Sequence, residues 1–326
     1  MLESRLPTQY SSDPIRQFDL TRDLDPVADL IELCFPTHAD PDGQSYVREM
    51  RKTAREIRMF DRLAGLSSQY PGRSPGFVWE ENGQVIGNLS LVPMMKDGRR
   101  INLLANVAVH PQHRRRGIAN KLTQHALKAL HQRNEREVWL QVRDDNPPAI
   151  QLYRSFGFTE QAIRTTWRMR PDERNSLPKS PTTHCLAGRW LKRDWAAQRA
   201  WLDAAYPANL HWNLPLKIER FSTDLLQLTS NILEGTPIKH WSVKVDGKFQ
   251  GVITWQRSNT YANNLWLAFP IENEAEVLPV CLSQVLRQLP QRHPLSIDYP
   301  RDRCAEQLAR VGFKEFRTLI WMAYWL

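Results

Sequence analysis

The chain has 326 residues, 41% hydrophobic and 24% charged, enough for two domains of ordinary size with separate cores. No apolar run approaches the roughly 20 residues that span a bilayer, and the opening MLESRLPTQYSSDP has no apolar segment suited to a secretory signal; a cytoplasmic protein without membrane contact is the expectation. The net charge of +9 is spread along the chain, with 25 Lys+Arg against 20 Asp+Glu up to residue 170 and 19 against 15 beyond it. Such mild basicity, without a polybasic tail, suits a polyanionic small molecule and argues against a nucleic-acid partner.

In chain order, a strand near 14–20 leads to a helix from Asp25, with Pro26 at its first helical position. A basic helix covers about 44–64, and Pro71-Gly72 and Pro75-Gly76 then break the chain. FVWEENGQVIGNLSLVP (77–93) reads as a hairpin turning at Asn82-Gly83. A strand at 100–109, a helix at 117–132, a strand at 137–143, a short helix at 147–156 and two closing strands to about 170 complete the unit. PDERNSLPKSPTT (171–183) is polar and Pro-rich and reads as a linker.

The remainder repeats the first part. A strand begins near His184, a helix covers 192–205, and HWSVKVDGKFQGVITWQ (240–256) is a second hairpin, around Asp246-Gly247. AIQLYRSFGFTEQAIRTTWRM (149–169) is echoed by CAEQLARVGFKEFRTLIWMAY (304–324), so the second copy also closes with strand, helix and two strands. The fold class is α/β: two tandem units, 1–170 and 184–326, each a mixed twisted sheet flanked by helices. Cys34, Cys185, Cys281 and Cys304 are scattered, with no metal-ligand spacing, and are expected to be reduced thiols; no metal site is indicated. Most of the tryptophans that crowd the second copy are expected in core or inter-domain packing.

The chemistry concentrates in NVAVHPQHRRRGIANKLTQHALKAL (106–130): a strand, a basic loop with Gly117, and an amphipathic helix. Free N–H groups at a helix start, the helix dipole and three arginines suit a phosphate, and Gly117 and Ala119 allow close backbone approach. The same loop also reads as an exposed turn of solvated arginines. Further on, Asn146 can cap a helix that carries Tyr153 and ends at Gly157. On its own, Tyr153 could equally be a core aromatic with a hydrogen-bonded hydroxyl.

Together, Arg114-x-x-Gly117-x-Ala119 and Asn146-Pro-Pro-Ala149 … Leu152-Tyr153 … Gly157-Phe158 resemble the signatures of the GNAT N-acetyltransferase superfamily. The first copy is particularly similar to the alanine acetyltransferases of ribosomal-protein N-termini. The resemblance implies acetyl-CoA as co-substrate, direct transfer in a ternary complex, and a small-molecule or peptide amine as acceptor. It places the pyrophosphate on the amides of Arg114, Arg115, Arg116, Gly117, Ile118 and Ala119, and the pantetheine arm along Val107, Ala108 and Val109, with Asn146 also on the cofactor side. The Val109 N–H would stabilise the oxyanion, and Tyr153 would protonate the departing thiolate. The strand INLLANVAV offers no carboxylate as base. Asn102 and Asn106, read as sharing one strand face, could orient a water, and Asp144 and Asp145 read as turn residues.

In the second copy Glu272, Glu274 and Glu276 stand where the arginines should be, and Leu308 stands where Tyr153 should be. It reads as a degenerate copy whose segment repels a pyrophosphate. Two further readings stay open: acetylation of protein N-termini, and a non-catalytic acyl-CoA-binding sensor.

Overall fold

The structure, a computed structural model, describes residues 14–35, 40–64, 75–176, 185–216, 218–221, 237–290 and 292–326. The first half runs β1 (Ile15–Gln17), α1 (Leu20–Cys34), α2 (Pro41–Ala64), β2 (Gly76–Glu81), β3 (Gln84–Lys96), β4 (Arg99–Val109), α3 (Ile118–Gln132), β5 (Glu137–Arg143), α4 (Pro147–Ser155) and β6 (Thr159–Met169). The second runs β7 (Cys185–Arg189), α5 (Trp195–Ala205), β8 (Ile238–Val245), β9 (Lys248–Gln256), β10 (Asn263–Ala268), α6 (Glu274–Gln288), β11 (Leu295–Pro300), α7 (Ala305–Val311) and β12 (Lys314–Trp325).

Both hairpins turn where the sequence places them. Asn82-Gly83 and Asp246-Gly247 all have positive φ, as a two-residue turn between right-twisted strands requires. Helix α1 starts earlier than expected. Asp19, not Asp25, caps it by accepting from the Thr21 N–H at 2.8 Å, and Asp23 returns the bond by accepting from the Asp19 N–H at 2.7 Å. Asp23 is fully buried and also holds Arg16 at 2.6 Å, so this reciprocal cap outweighs the signal of Pro26, which lies inside the helix.

The larger departure is in the sheet. Each half was expected to close with two strands of its own, but each supplies one and receives the other. The described strands form a single sheet in the order β1-β2-β3-β4-β5-β12-β6-β11-β10-β9-β8-β7. Strand β12, the last of the chain, lies antiparallel to β5 with every residue of β5 paired, from Glu137↔Trp325 to Arg143↔Leu319. Strand β6 in turn pairs with β11, Arg164↔Pro300 through Met169↔Leu295. The two exchanged strands pair with each other at the centre. The tandem architecture holds, with the halves interlocked rather than side by side.

The exchange unites the cores. Ile320 and Met322 of β12 sit with α3, α4 and β5 under one sheet face, while Trp321 and Ala323 point to the other. On that opposite face Trp321 and Trp139 flank Trp212, with ring centroids at 5.8 and 5.3 Å, so part of the tryptophan content does serve contact between the halves. Of the expected linker, residues 172–176 form a short 3₁₀ turn whose Arg174 is buried and donates to the Pro290 carbonyl at 2.7 Å; residues 177–183 lie outside the described part. Cys281 is disulfide-bonded, against the expectation of four thiols, whereas Cys34 and Cys304 are free.

Candidate active site

Strands β4 and β5 run parallel but pair only at Asn102↔Val138, Leu103↔Trp139 and Leu104↔Leu140. Beyond that point β4 stays with β3 while β5 stays with β12, and a wedge opens in the sheet. A bulge marks the opening. Between Asn88↔Ala108 and Ser90↔Ala105 strand β4 carries one extra residue, and Asn106 takes φ 51°. Side chains hold the bulge: Asn88 Nδ2 donates to the Asn106 carbonyl at 2.8 Å, and Asn106 Nδ2 donates to the Tyr46 hydroxyl at 2.7 Å.

The bulge also corrects a sequence expectation. Leu104 packs with α3 while Ile101 and Leu103 face the other way, so Asn102 lies on the α3 side, buried. Asn106, shifted by the extra residue, reaches Tyr46 of α2 on the opposite side. The two asparagines therefore do not share a face.

Past the bulge the His110 N–H donates to the Ile86 carbonyl on β3 at 2.9 Å. Alternate residues of an antiparallel strand direct their amides to opposite sides, so the Val109 N–H points toward the wedge. The Val109 carbonyl accepts side-chain bonds from Arg114 Nε at 3.2 Å and Cys34 Sγ at 3.3 Å. Val107 and Val109 pack against the cluster that contains Tyr153, and Ala108 is buried.

The loop that follows leads into α3. Arg115 at φ 63° and Gly117 at φ 75° turn the chain sharply there, and among the described residues no side chain caps the start of that helix. A Cβ built on Gly117 would meet nothing within 4 Å, so the space before the helix is open. Arg114, Arg115, Arg116 and Gly117 are exposed, Ala119 is half-buried, and Ile118 is buried as the first core anchor of α3. The arginines differ in role. Arg116 is tied to Glu81 of β2 by two bonds, at 2.7 and 3.0 Å, and that pairing holds the Glu81 carboxyl below the usual range. Arg114 braces β4, and Arg115 has the left-handed backbone.

Helix α4 brings Tyr153 beneath the wedge. Asn146 caps the helix by accepting from the Ala149 N–H at 3.3 Å, a task that keeps this exposed side chain at the helix start. Tyr153 is 6% exposed, lies edge-on to Phe158 with centroids 5.9 Å apart, and has its pKa raised by burial. Burial is the one cause of that shift, and among the described residues no group hydrogen-bonds the Tyr153 hydroxyl. Asp144 and Asp145 are turn residues as expected: Asp145 is paired with Arg143 at 2.7 Å and Asp144 with Arg301 at 3.3 Å. The sequence reading missed Tyr46, Asn88 and Ser90, which surround the bulge; nothing in a linear motif links α2 and β3 to it.

Residues 27–158 match the Acetyltransferase (GNAT) family. The match covers about two-fifths of the chain, all of it in the first half. The chain is 39% identical over 71 residues to the [ribosomal protein bS18]-alanine N-acetyltransferase of Escherichia coli K12, covering 22% of this chain and 48% of that protein. It is 38% identical over 100 residues to the N-alpha-acetyltransferase of Sulfurisphaera tokodaii, covering 27% and 58%. The chain thus spans about half the length of the curated relatives it matches. Among solved structures, a GCN5-related N-acetyltransferase from Sphaerobacter thermophilus aligns over 95% of both chains with a TM-score of 0.56 and 14% identity. A tandem GNAT protein from the clavulanic acid biosynthesis pathway aligns over 95% of this chain and 98% of its own, with a TM-score of 0.50 and 18% identity. At such identity the likeness speaks for the fold, and the tandem GNAT fold extends over both halves.

Proposed function

We propose that the chain is an acetyl-CoA-dependent N-acetyltransferase whose reaction takes place in the wedge of the first half, with a primary amine of a small molecule or peptide as acceptor. The observation that carries this reading is the wedge itself, lined by the Val109 amide and leading to an uncapped helix start behind a basic loop. The residues fit the donor: the first-turn amides of α3 at Ile118 and Ala119 adjoin open space at Gly117 suited to a pyrophosphate, although the Arg114 amide is taken by the Pro111 carbonyl at 3.4 Å, and the β4 edge suits an extended pantetheine arm. Bound there, the donor supplies an acyl group already activated as a thioester. The Val109 N–H is placed to orient and polarise its carbonyl.

Tyr153 then acts as the acid. Burial raises its pKa, so its Oη keeps a proton at neutral pH and can give it to a departing thiolate. Proton removal from the amine falls to water, since both nearby aspartates are committed to arginines. Asn88 is fully buried, and its Oδ1 accepts no bond among the described residues, so with Asn106 it provides a place to hold that water. The names of the relatives support peptide N-termini as one acceptor class.

The test is a steady-state thiol-release assay over amines and peptide N-termini. Turnover with at least one acceptor is expected. Acetyl-CoA binding with no turnover across the panel would favour the acyl-CoA-binding sensor instead.

A further inference from the structure

The β12 strand contributes more than support. Leu319 and Trp321 lie on the face of β5 that is away from α3 and α4, and pairing is regular from Arg317 to Trp321, so Arg317 projects from that same face. This is the side on which α2 crosses the wedge. Asp42 accepts from Arg168 Nη2 at 2.5 Å, and Tyr46, one helical turn later on the same face of α2, meets the Asn106 bulge. The arginine pair and the bulge are thus bridged by one turn of helix, about 6 Å in rise.

Arg317 is under-satisfied in this setting. Its nearest carboxylate is Asp40 Oδ2 at 3.6 Å, too far for a hydrogen bond, and its guanidinium makes none among the described residues. Its Nε is buried without a partner, as is Nε of Arg168, while 37% of the Arg317 side chain remains exposed. The Phe316 ring lies 3.5 Å from the Arg168 guanidinium carbon and 5.5 Å from that of Arg317, so it packs against both cations. Asp40 and Asp42 balance the charge, but a guanidinium carries five donors and these two carboxylates take up few of them. The cluster lacks acceptors, not charge. A ligand carboxylate, which only accepts and fits a guanidinium fork, matches that deficit.

We propose that Arg317, supplied by the second half, binds a carboxylate of the acceptor and selects amines that carry one. The proposal rests on the acetyl-transfer reading for the placement of the amine, and it makes Arg317 a specificity residue of a site otherwise built by the first half. Arg168, held by Asp42, positions the fork's neighbour.

The test separates the two readings by measuring binding and turnover independently. Calorimetry on the full chain with CoA present compares succinate with succinamide, which share a skeleton and differ in charge. Succinate should bind about tenfold or more tightly, as expected for one charge-assisted pair. Arg317→Gln should erase the difference while CoA affinity, measured in the same cell, is retained; Arg317→Lys should restore part of it. Equal binding of the two probes, or a preference that survives Arg317→Gln, overturns the carboxylate site. In parallel, kcat/KM is compared for matched amines: 4-aminobutyrate against butylamine, and Ala-Glu against Ala-Gln peptide amides. A preference confined to the first pair identifies free amino acids as the source of the carboxylate, and one confined to the second identifies peptides. Arg317-dependent succinate binding without any turnover overturns the acetyl-transfer reading alone, whereas turnover indifferent to the carboxylate overturns only the role of Arg317.

Discussion

The two halves open the same wedge and fill it differently. In the second half β10 and β11 pair only at Asn263↔Leu295 and Asn264↔Ser296 before they part, just as β4 and β5 do. Where the first half turns at Gly117 into open space, the second places Glu274 at the start of α6. Glu274 is 3% exposed, accepts from the Tyr299 hydroxyl and is held by Arg303 at 2.8 Å; burial outweighs that guanidinium and raises its pKa. Phe269, one step past the last β10–β9 pair, is buried so tightly that a Cβ on Gly251 would come within 2.4 Å of its ring. Leu308, fully buried, takes the place of Tyr153. The sequence reads this segment, with Glu272, Glu274 and Glu276, as one that repels a pyrophosphate. Glu272 and Glu276 are exposed, but Glu274 instead turns inward and supplies the negative charge itself. A wedge in the sheet is therefore a scaffold feature, and its contents decide whether a cofactor can enter.

The sharpest way to break this comparison is to separate the halves. A chain ending at Arg170 lacks β12 and leaves the inner edge of β5 bare, along with the hydrophobic surface covered by Ile320, Trp321, Met322 and Ala323. Burial of a large apolar side chain contributes roughly 1.5–3 kcal/mol, and total stabilities are about 5–15 kcal/mol. The truncated chain should fail to give a cooperative melt. A soluble, cooperatively unfolding fragment that binds CoA would show that the strand exchange is not essential.

A smaller effect sharpens the contrast between Tyr153 and Leu308. Tyr153→Phe should lower kcat by on the order of 10²–10⁴-fold with little change in acetyl-CoA affinity. Because burial moves the phenol's pKa upward, its proton is retained at pH values where a free tyrosine would begin to lose it. The wild-type rate should therefore show no alkaline fall near pH 10 from this group. A normal rate in the Phe variant would mean that another group, or water, protonates the thiolate.

Smaller again is the effect of emptying the second wedge. Glu274→Ala leaves Arg303 and Tyr299 without their buried partner and should cost about 3 kcal/mol of stability in denaturant titration. CoA affinity should not change. A gain of a second CoA site in this variant would show that Glu274 alone blocks the wedge.

Much of this arrangement was legible in the sequence, and the limits have physical causes. Hairpins with Asn-Gly and Asp-Gly turns, the start of α3 at Gly117 and the cap of α4 at Asn146 are local, and local chemistry determines them. The destination of β12 is not local. Its apolar pattern fits a strand buried on both faces, and nothing within it distinguishes the sheet of its own copy from that of the other. The bulge at Asn106 depends on Asn88 and Tyr46, 18 and 60 residues away, so counting alternate residues along INLLANVAV placed Asn102 and Asn106 on one face when the structure separates them. Arg317 escaped notice for the same reason: it serves a site whose motifs lie in the other half.

Under the proposed function, one wedge of the two takes the cofactor. Calorimetric titration of the full chain with acetyl-CoA tests it most directly, with Gly117→Val as the companion, because a β-branched residue at φ 75° strains the loop and crowds the space before α3. Binding should saturate at one equivalent per chain and be lost in the variant. Two equivalents, or one equivalent that Gly117→Val leaves untouched, would contradict it.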